Sequence, residues 1–175
     1  FVCSFFWATA QEDFLALQYF NDGEFDKAVV FYEKLTKTNP RRLDFAEALV
    51  ACYQQLERYE EAEVFLQEKV KENYATPNFI IDIGYNFSLQ NKIEKAESQY
   101  NKAIKFLNKN PNYGSQIGAK FQKYALLDKA IIVYNKAMQL NPALNYNYQL
   151  ATIYGEQGDI ERMYAAYLTL LIEGK

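Results

Sequence analysis

Apolar and polar residues alternate along this chain on two scales, one within segments and one between them. In the first segment Leu15, Ala16, Tyr19 and Phe20 stand three or four residues apart, the spacing of one face of a helix. Asn21-Asp22-Gly23 interrupts that face, and Gly23 suits a left-handed helix cap. A second stripe follows at Phe25, Ala28, Val29, Tyr32 and Leu35, and Pro40 ends it. The pattern predicts two helices joined by a tight turn. No stretch sustains a period of two, so no sheet is expected.

The pair then repeats. KAVVFYEKLTKTNP starts at Lys27 and KAIIVYNKAMQLNP at Lys129, 102 residues later, which is three times 34. Alanines fall at Ala28, Ala62, Ala96 and Ala130, each 34 residues after the last, and each follows an apolar residue, an acid and a charge. Other columns are Tyr19, Tyr53, Phe87 and Phe121; Tyr32, Leu66, Tyr100 and Tyr134; and Leu15, Leu49, Ile83 and Ile117. A fifth copy arrives one residue early, with Leu150, Tyr154, Ile160 and Tyr167. A fixed period of this length is the signature of a repeat architecture. Small residues mark where the two helices of a unit cross closely: Ala16, Gly84, Gly118 and Ala151 in first helices, and the alanine column in second helices. Val50 departs from this rule, so the second hairpin is expected to splay.

These columns resemble the tetratricopeptide repeat. Its Leu-small-x-x-Tyr element reads Leu15-Ala16…Tyr19, Leu49-Val50…Tyr53, Ile83-Gly84…Phe87, Ile117-Gly118…Phe121 and Leu150-Ala151…Tyr154. Its Ala-x-x-x-Tyr element reads Ala28…Tyr32, Ala96…Tyr100 and Ala130…Tyr134, and its proline falls at Pro40 and Pro142. The early Trp of the family is absent; an aromatic stands one place earlier, at Phe45, Phe79, Tyr113 and Tyr146. Met163 replaces the alanine of the fifth unit, and Pro77 and Pro111 arrive late. The resemblance implies an all-α, right-handed solenoid of about five antiparallel helix hairpins over residues 11–175, in units near 9–42, 43–76, 77–110, 111–143 and 144–175.

The resemblance also implies a use, by fold-level analogy: binding a peptide or protein surface on a concave face lined by first helices. Its register places Asp13, Leu17, Phe20, Glu47, Gln54, Asn78, Asp82, Tyr85, Asn112, Ser115, Gln122 and Tyr148 on that face, along with Asp44, Ala51, Ile81, Ser88, Ala119, Asn145 and Thr152. The charges among them are acidic and crowd the amino-terminal half. Where some family members grip a carboxylate with Lys, Arg and Asn, this chain has Asp13, Leu17 and Glu47. A neutral to mildly basic partner segment is therefore expected, anchored by Tyr85 and Tyr148.

Composition narrows the alternatives. The chain has 175 residues, half of them apolar, and a net charge of -3. That balance lacks the basic stripe of a nucleic-acid binder. Histidine is absent, which removes the usual general base and the commonest metal ligand. Two cysteines, Cys3 and Cys52, are too few for a zinc site or a disulfide framework. No cluster of converging acid and base groups is evident, so the expectation is a non-enzyme without cofactor or metal.

Three motif matches are read as packing or chance. Gly114…Gly118 fits G-x-x-x-G outside any long apolar span and reads as a close helix contact. Asn86-Phe87-Ser88 fits the glycosylation pattern but lies on an expected helix. Cys52 reads as a small buried hydrophobe.

Both termini raise questions of context. FVCSFFWATA, residues 1–10, ends in Ala8-Thr9-Ala10 before polar Gln11, like the tail of a secretory signal peptide. The alternative is an apolar helical turn covering the first repeat. If ordered, Phe1, Val2, Phe5, Phe6 and Trp7 are expected in an apolar contact. In the last helix, the side bearing Tyr164, Leu168 and Leu171 has no evident cover. Further chain or self-association is expected there. The leading expectation is thus an exported interaction scaffold of the periplasm or cell envelope. The alternative is a cytoplasmic adaptor or the regulatory region of a larger protein.

Overall fold

The computed structural model describes residues 3–72 and 75–173, without the side chains of residues 3–11 and 173. Among these residues there is no strand. Five antiparallel hairpins follow one another. They are α1 (Cys3–Asn21) with α2 (Phe25–Thr38), α3 (Leu43–Gln55) with α4 (Tyr59–Lys71), α5 (Thr76–Leu89) with α6 (Ile93–Ile104), α7 (Gly114–Lys123) with α8 (Leu127–Leu140), and α9 (Asn147–Glu156) with α10 (Ile160–Glu173). The contact expected for Phe1, Val2, Phe5, Phe6 and Trp7 lies outside the described residues.

Each hairpin turns in the same way. Gly23, Glu57, Asn91, Ala125 and Gly158 occupy equivalent places, and all have positive φ, from 55 to 75°. The residue after each one donates its backbone N–H to an aromatic residue of the preceding helix: Glu24 to Tyr19 at 2.8 Å, Arg58 to Tyr53 at 2.8 Å, Lys92 to Phe87 at 2.9 Å, Leu126 to Phe121 at 2.9 Å and Asp159 to Tyr154 at 2.8 Å. This is the six-to-one bond of a Schellman closure, which satisfies a carbonyl that the helix end would leave without a partner. Glycine adopts the left-handed conformation freely at Gly23 and Gly158. Glu57 and Ala125 adopt it against their Cβ, at about 1–2 kcal/mol each.

Within the hairpins the small residues do what their spacing implies. Ala16, Ala28, Ala62, Ala130 and Ala151 are fully buried. A Cβ added to Gly84 would stand 2.5 Å from the Tyr100 ring, and one added to Gly118 would stand 2.3 Å from the Tyr134 ring. At Gly114 it would meet the Ala137 methyl at 2.6 Å, so the G-x-x-x-G pair is a packing surface. The rings cover the missing side chains, and helix axes approach closely as a result. Cys52 is buried, and burial pushes its thiol pKa up to about 12. Asn86 is completely buried and donates to the Tyr59 carbonyl at 2.9 Å, so it is closed to modification in the folded chain. The late Pro111 has a cause too. After α6 the chain makes a 3₁₀ turn, Lys105–Asn108, that buries Leu107, and Pro111 opens a second such turn.

The second hairpin is the loosest of the five, as Val50 suggested. α3 packs back on α2 and α4 packs forward on α5, more closely than α3 and α4 pack on each other. The core divides there. One cluster joins Ala28, Tyr32, Leu35, Phe45, Leu49 and Tyr53, and the other runs from Val50 and Leu66 to Ala166.

Two substitutions test this packing in opposite directions. Gly118→Ala drives a methyl into the buried Tyr134 ring and is expected to lose about 1–3 kcal/mol, although alanine is the better helix former. Ala125→Gly relieves the left-handed strain and is expected to gain roughly 0.5–1 kcal/mol after the entropic cost of glycine. Urea unfolding midpoints of both variants check the signs.

Candidate functional site

First helices α1, α3, α5, α7 and α9 carry most of the positions expected to face a partner; Asn112 lies in the 3₁₀ turn before α7 and Asn145 just before α9. The structure divides those positions into two groups. Leu17, Asn112, Ser115 and Tyr148 are exposed, and Tyr148 is 63% exposed, with its ring 6.4 Å from that of Tyr167. Asp13, Gln54, Asn78 and Tyr85 are half-buried. Asn145 accepts from the Asn147 backbone N–H at 3.0 Å, and Thr152 donates to the Tyr148 carbonyl at 3.1 Å; both hold the start of α9.

The second group is spent on the protein itself. Phe20 packs edge-on against Phe25 and Tyr32, at 5.5 and 6.3 Å between ring centres. Gln122 accepts from the Tyr134 hydroxyl at 2.7 Å. Ile81 is fully buried. Asp82, expected on the open face, is buried, because α5 lies under α7 and the side chains of Lys120 on α7 and Tyr124 just after it close over it. Helices that approach this closely leave no room for solvent between them.

The charges likewise differ from expectation. Asp13 and Asp44 share Arg42, whose guanidinium lies 2.6 Å from Asp44 and 4.0 Å from Asp13. Lys120 Nζ lies 2.7 Å from a Glu47 oxygen and 2.8 Å from an Asp82 oxygen. Lys123 pairs with the other Glu47 oxygen, and the Tyr124 hydroxyl donates to Asp82. The Tyr124 ring stacks on Tyr85 at 3.8 Å with an angle of 8° between planes. The acidic half of the face is therefore largely neutralised from within, by cations that the repeat register did not place there. No converging acid and base groups are evident along the sequence, whereas the fold assembles Glu47, Asp82, Lys120, Lys123 and Tyr124. Lys120 occupies the column of Cys52 and Asn86, which are both fully buried. A lysine in a buried column was the available signal that a carboxylate must meet it.

Protonation follows from this geometry. Burial draws the Lys120 ammonium down, but the Asp82 and Glu47 carboxylates outweigh it and hold its pKa above the ordinary lysine value. Burial pushes Glu47 up, and Lys120 and Lys123 more than reverse that, leaving it below the ordinary carboxylate value. Burial and the Asp82 charge raise the Tyr124 hydroxyl far above its usual range. Burial outweighs Lys120 and the Tyr124 hydroxyl at Asp82 and holds its carboxyl above the ordinary aspartate value, so the cluster is a hydrogen-bonded set around a neutral phenol in which Asp82 is the carboxyl most readily protonated. Among the described residues no group of His, Cys, Asp and Glu is arranged to hold a metal ion, and no helix is long and apolar enough to cross a membrane.

The repeat class that this geometry defines agrees with direct comparison. Residues 19–78 match the family model of the tetratricopeptide repeat. That stretch runs from the end of α1 to the start of α5, and the hairpin geometry continues through α10. No curated protein matches the chain. Among solved structures, MamA residues 41-end from Desulfovibrio magneticus RS-1 is similar at 12% identity, over 93% of each chain, with a TM-score of 0.48. Another MamA structure is 17% identical over 93% of this chain and 90% of that one, with a TM-score of 0.47. BtubC from P. vanneervenii is 17% identical over 90% of this chain and 76% of that one, also with a TM-score of 0.47. At these identities and scores the likeness assigns no function.

Alkali tests the cluster. Lys120 and Tyr124 both have folded pKa values above their ordinary 10.5 and 10.0. A group raised in this way contributes stability that is complete below its unfolded pKa and is lost as pH rises. The urea midpoint is therefore expected to fall as pH climbs from about 9 to about 11, and to fall less steeply in Tyr124→Phe.

Proposed function

We propose that this chain is a protein-interaction scaffold that binds an extended peptide or protein segment along its first-helix face. One observation carries the reading: Leu17, Ser115 and Tyr148 stand exposed on first helices, with Asn112 exposed in the turn that leads into α7, while their neighbours are committed to the fold. Amide, hydroxyl and aromatic groups of this kind suit a neutral to mildly basic segment. Arg42 offsets only part of the charge on Asp13 and Asp44, and the Glu47 and Asp82 charges are balanced by Lys120 and Lys123. Tyr148 supplies a large, rigid anchor, the residue type that dominates binding energy at protein interfaces.

A photo-crosslinking residue in place of Ser115 is expected to capture a partner segment that the same residue at Val64, on α4, does not. Tyr148→Ala is expected to weaken binding of that segment about tenfold or more, a loss of about 1.4 kcal/mol or more. Equal capture at both positions would count against the proposal.

The proposal extends to place and assembly. Export to the periplasm or cell envelope is supported by the apolar run that ends in Ala8-Thr9-Ala10. The alternative is a cytoplasmic adaptor in which that run is the start of α1, whose helix extends from Cys3. A mature protein beginning at Gln11, read by mass spectrometry, separates the two. Tyr164, Leu168 and Leu171 on α10 are 60, 55 and 77% exposed. A row of large apolar side chains on a repeat helix normally receives the next helix of the array. We assign this face to contact with further chain or with a second copy. Sedimentation is expected to show association of this chain that the combined Leu168→Glu and Leu171→Glu changes abolish. A monomer in both cases removes self-association.

A further inference from the structure

Helices of a solenoid normally touch only the hairpins on either side. The Glu47 links break that rule. Glu47 lies on α3 in the second hairpin, and both of its cations lie on α7 in the fourth. They reach across α5, where Asp82 holds Lys120 from below.

This reach coincides with the weakest joint of the molecule. α1, α2, most of the packed face of α3 and Ala62 of α4 share one apolar cluster; Leu66 of α4 and the later helices form the other, which Ala46 and Val50 of α3 join, and Phe65 of α4 packs against both. The α3–α4 hairpin between them is the loosest. On the second-helix side of the same joint a cleft of about 520 Å³ opens between α2 and α4, lined by Glu33, Lys37, Tyr53, Phe65, Glu68 and Lys69. A joint with thin apolar packing and a cleft on one side can bend toward that cleft. The bonds that oppose such a bend are those tying α3 to the far body on the other side.

We propose that Glu47, Lys120 and Lys123 form a latch that fixes the angle between the first three helices and the rest of the solenoid. Closed, it draws α3 toward α7 and holds the first-helix face in its present curve. Opened, it frees the α1–α3 body to swing about the α3–α4 joint, narrowing the α2–α4 cleft and flattening the face between Leu17 and Ser115. The two halves of the latch are unequal. Lys120 is 4% exposed and stays anchored to Asp82, whereas Lys123 is 53% exposed and meets Glu47 at the surface. Salt screens exposed pairs far more than buried ones, so the outer half yields first. The latch does not depend on the identity of any partner.

Dyes attached to ketone-bearing residues at Val30 on α2 and Ile132 on α8, both exposed, report the angle by single-molecule energy transfer. Glu47→Gln is expected to shift and broaden the distance distribution while helical content is kept. High salt is expected to move the unaltered protein the same way. Glu47→Lys sets a like charge against Lys120 and is expected to open the joint further than Glu47→Gln, and the added Lys123→Glu to recover part of that distance, which a purely local packing role would not produce. Where a variant fails to fold, the salt series on the unaltered protein decides. A distribution that is indifferent to salt, or to Glu47→Gln in a folded chain, overturns the proposal, as does failure of Lys123→Glu to recover any of the distance lost in Glu47→Lys.

Discussion

A tyrosine ring laid against a residue that has almost no side chain is the contact on which this molecule depends. Tyr100 covers Gly84 and Tyr134 covers Gly118, with no room for even one added carbon at either glycine. The close approach lets each helix of the pair bury one stripe against the other. It also determines which way the larger side chains point when the next hairpin arrives. Dispersion and the removal of apolar surface from water supply the energy. The absence of a Cβ supplies the geometry. Where the rule lapses, at Val50, the hairpin loosens and the core divides.

That local character explains what could be read from the chain before its structure. The main contacts inside a hairpin recur about 34 residues later in most units, so the alanine, glycine and aromatic columns carry the fold in plain view. The turns were half visible. Gly23 and Gly158 announce a left-handed residue, while Glu57 and Ala125 adopt the same conformation without announcing it, because the Schellman closure around them overrides their own preference. The charge cluster was hidden for the opposite reason. Glu47, Asp82 and Lys120 come from three different hairpins and from three different places in the repeat. Their meeting has no period, and only the burial of the Lys120 column hinted at it.

The same contrast separates two kinds of specificity. Apolar columns are nearly interchangeable between units, and a stack built from them alone could slip or bend at modest cost. Buried ion pairs contribute little net stability, since the desolvation of each charge offsets most of the attraction. They do penalise every arrangement that separates them, because a buried charge left without its partner is expensive. In this chain the apolar columns hold each hairpin together, and the cluster distinguishes one arrangement of hairpins from its neighbours.

Arrays of this kind grow and shrink by duplication or loss of whole units, and the turn chemistry here would tolerate it, since each hairpin closes on its own carbonyls. The bond from α3 to α7 does not share that tolerance. It spans one intervening hairpin, so a unit gained or lost between Glu47 and Lys120 would carry the partners apart or bring them into the wrong register. The middle of the array is therefore counted, while its two ends are free to lengthen. Related chains that vary in repeat number should differ outside the segment from 43 to 124 and keep one hairpin between the glutamate and the lysine.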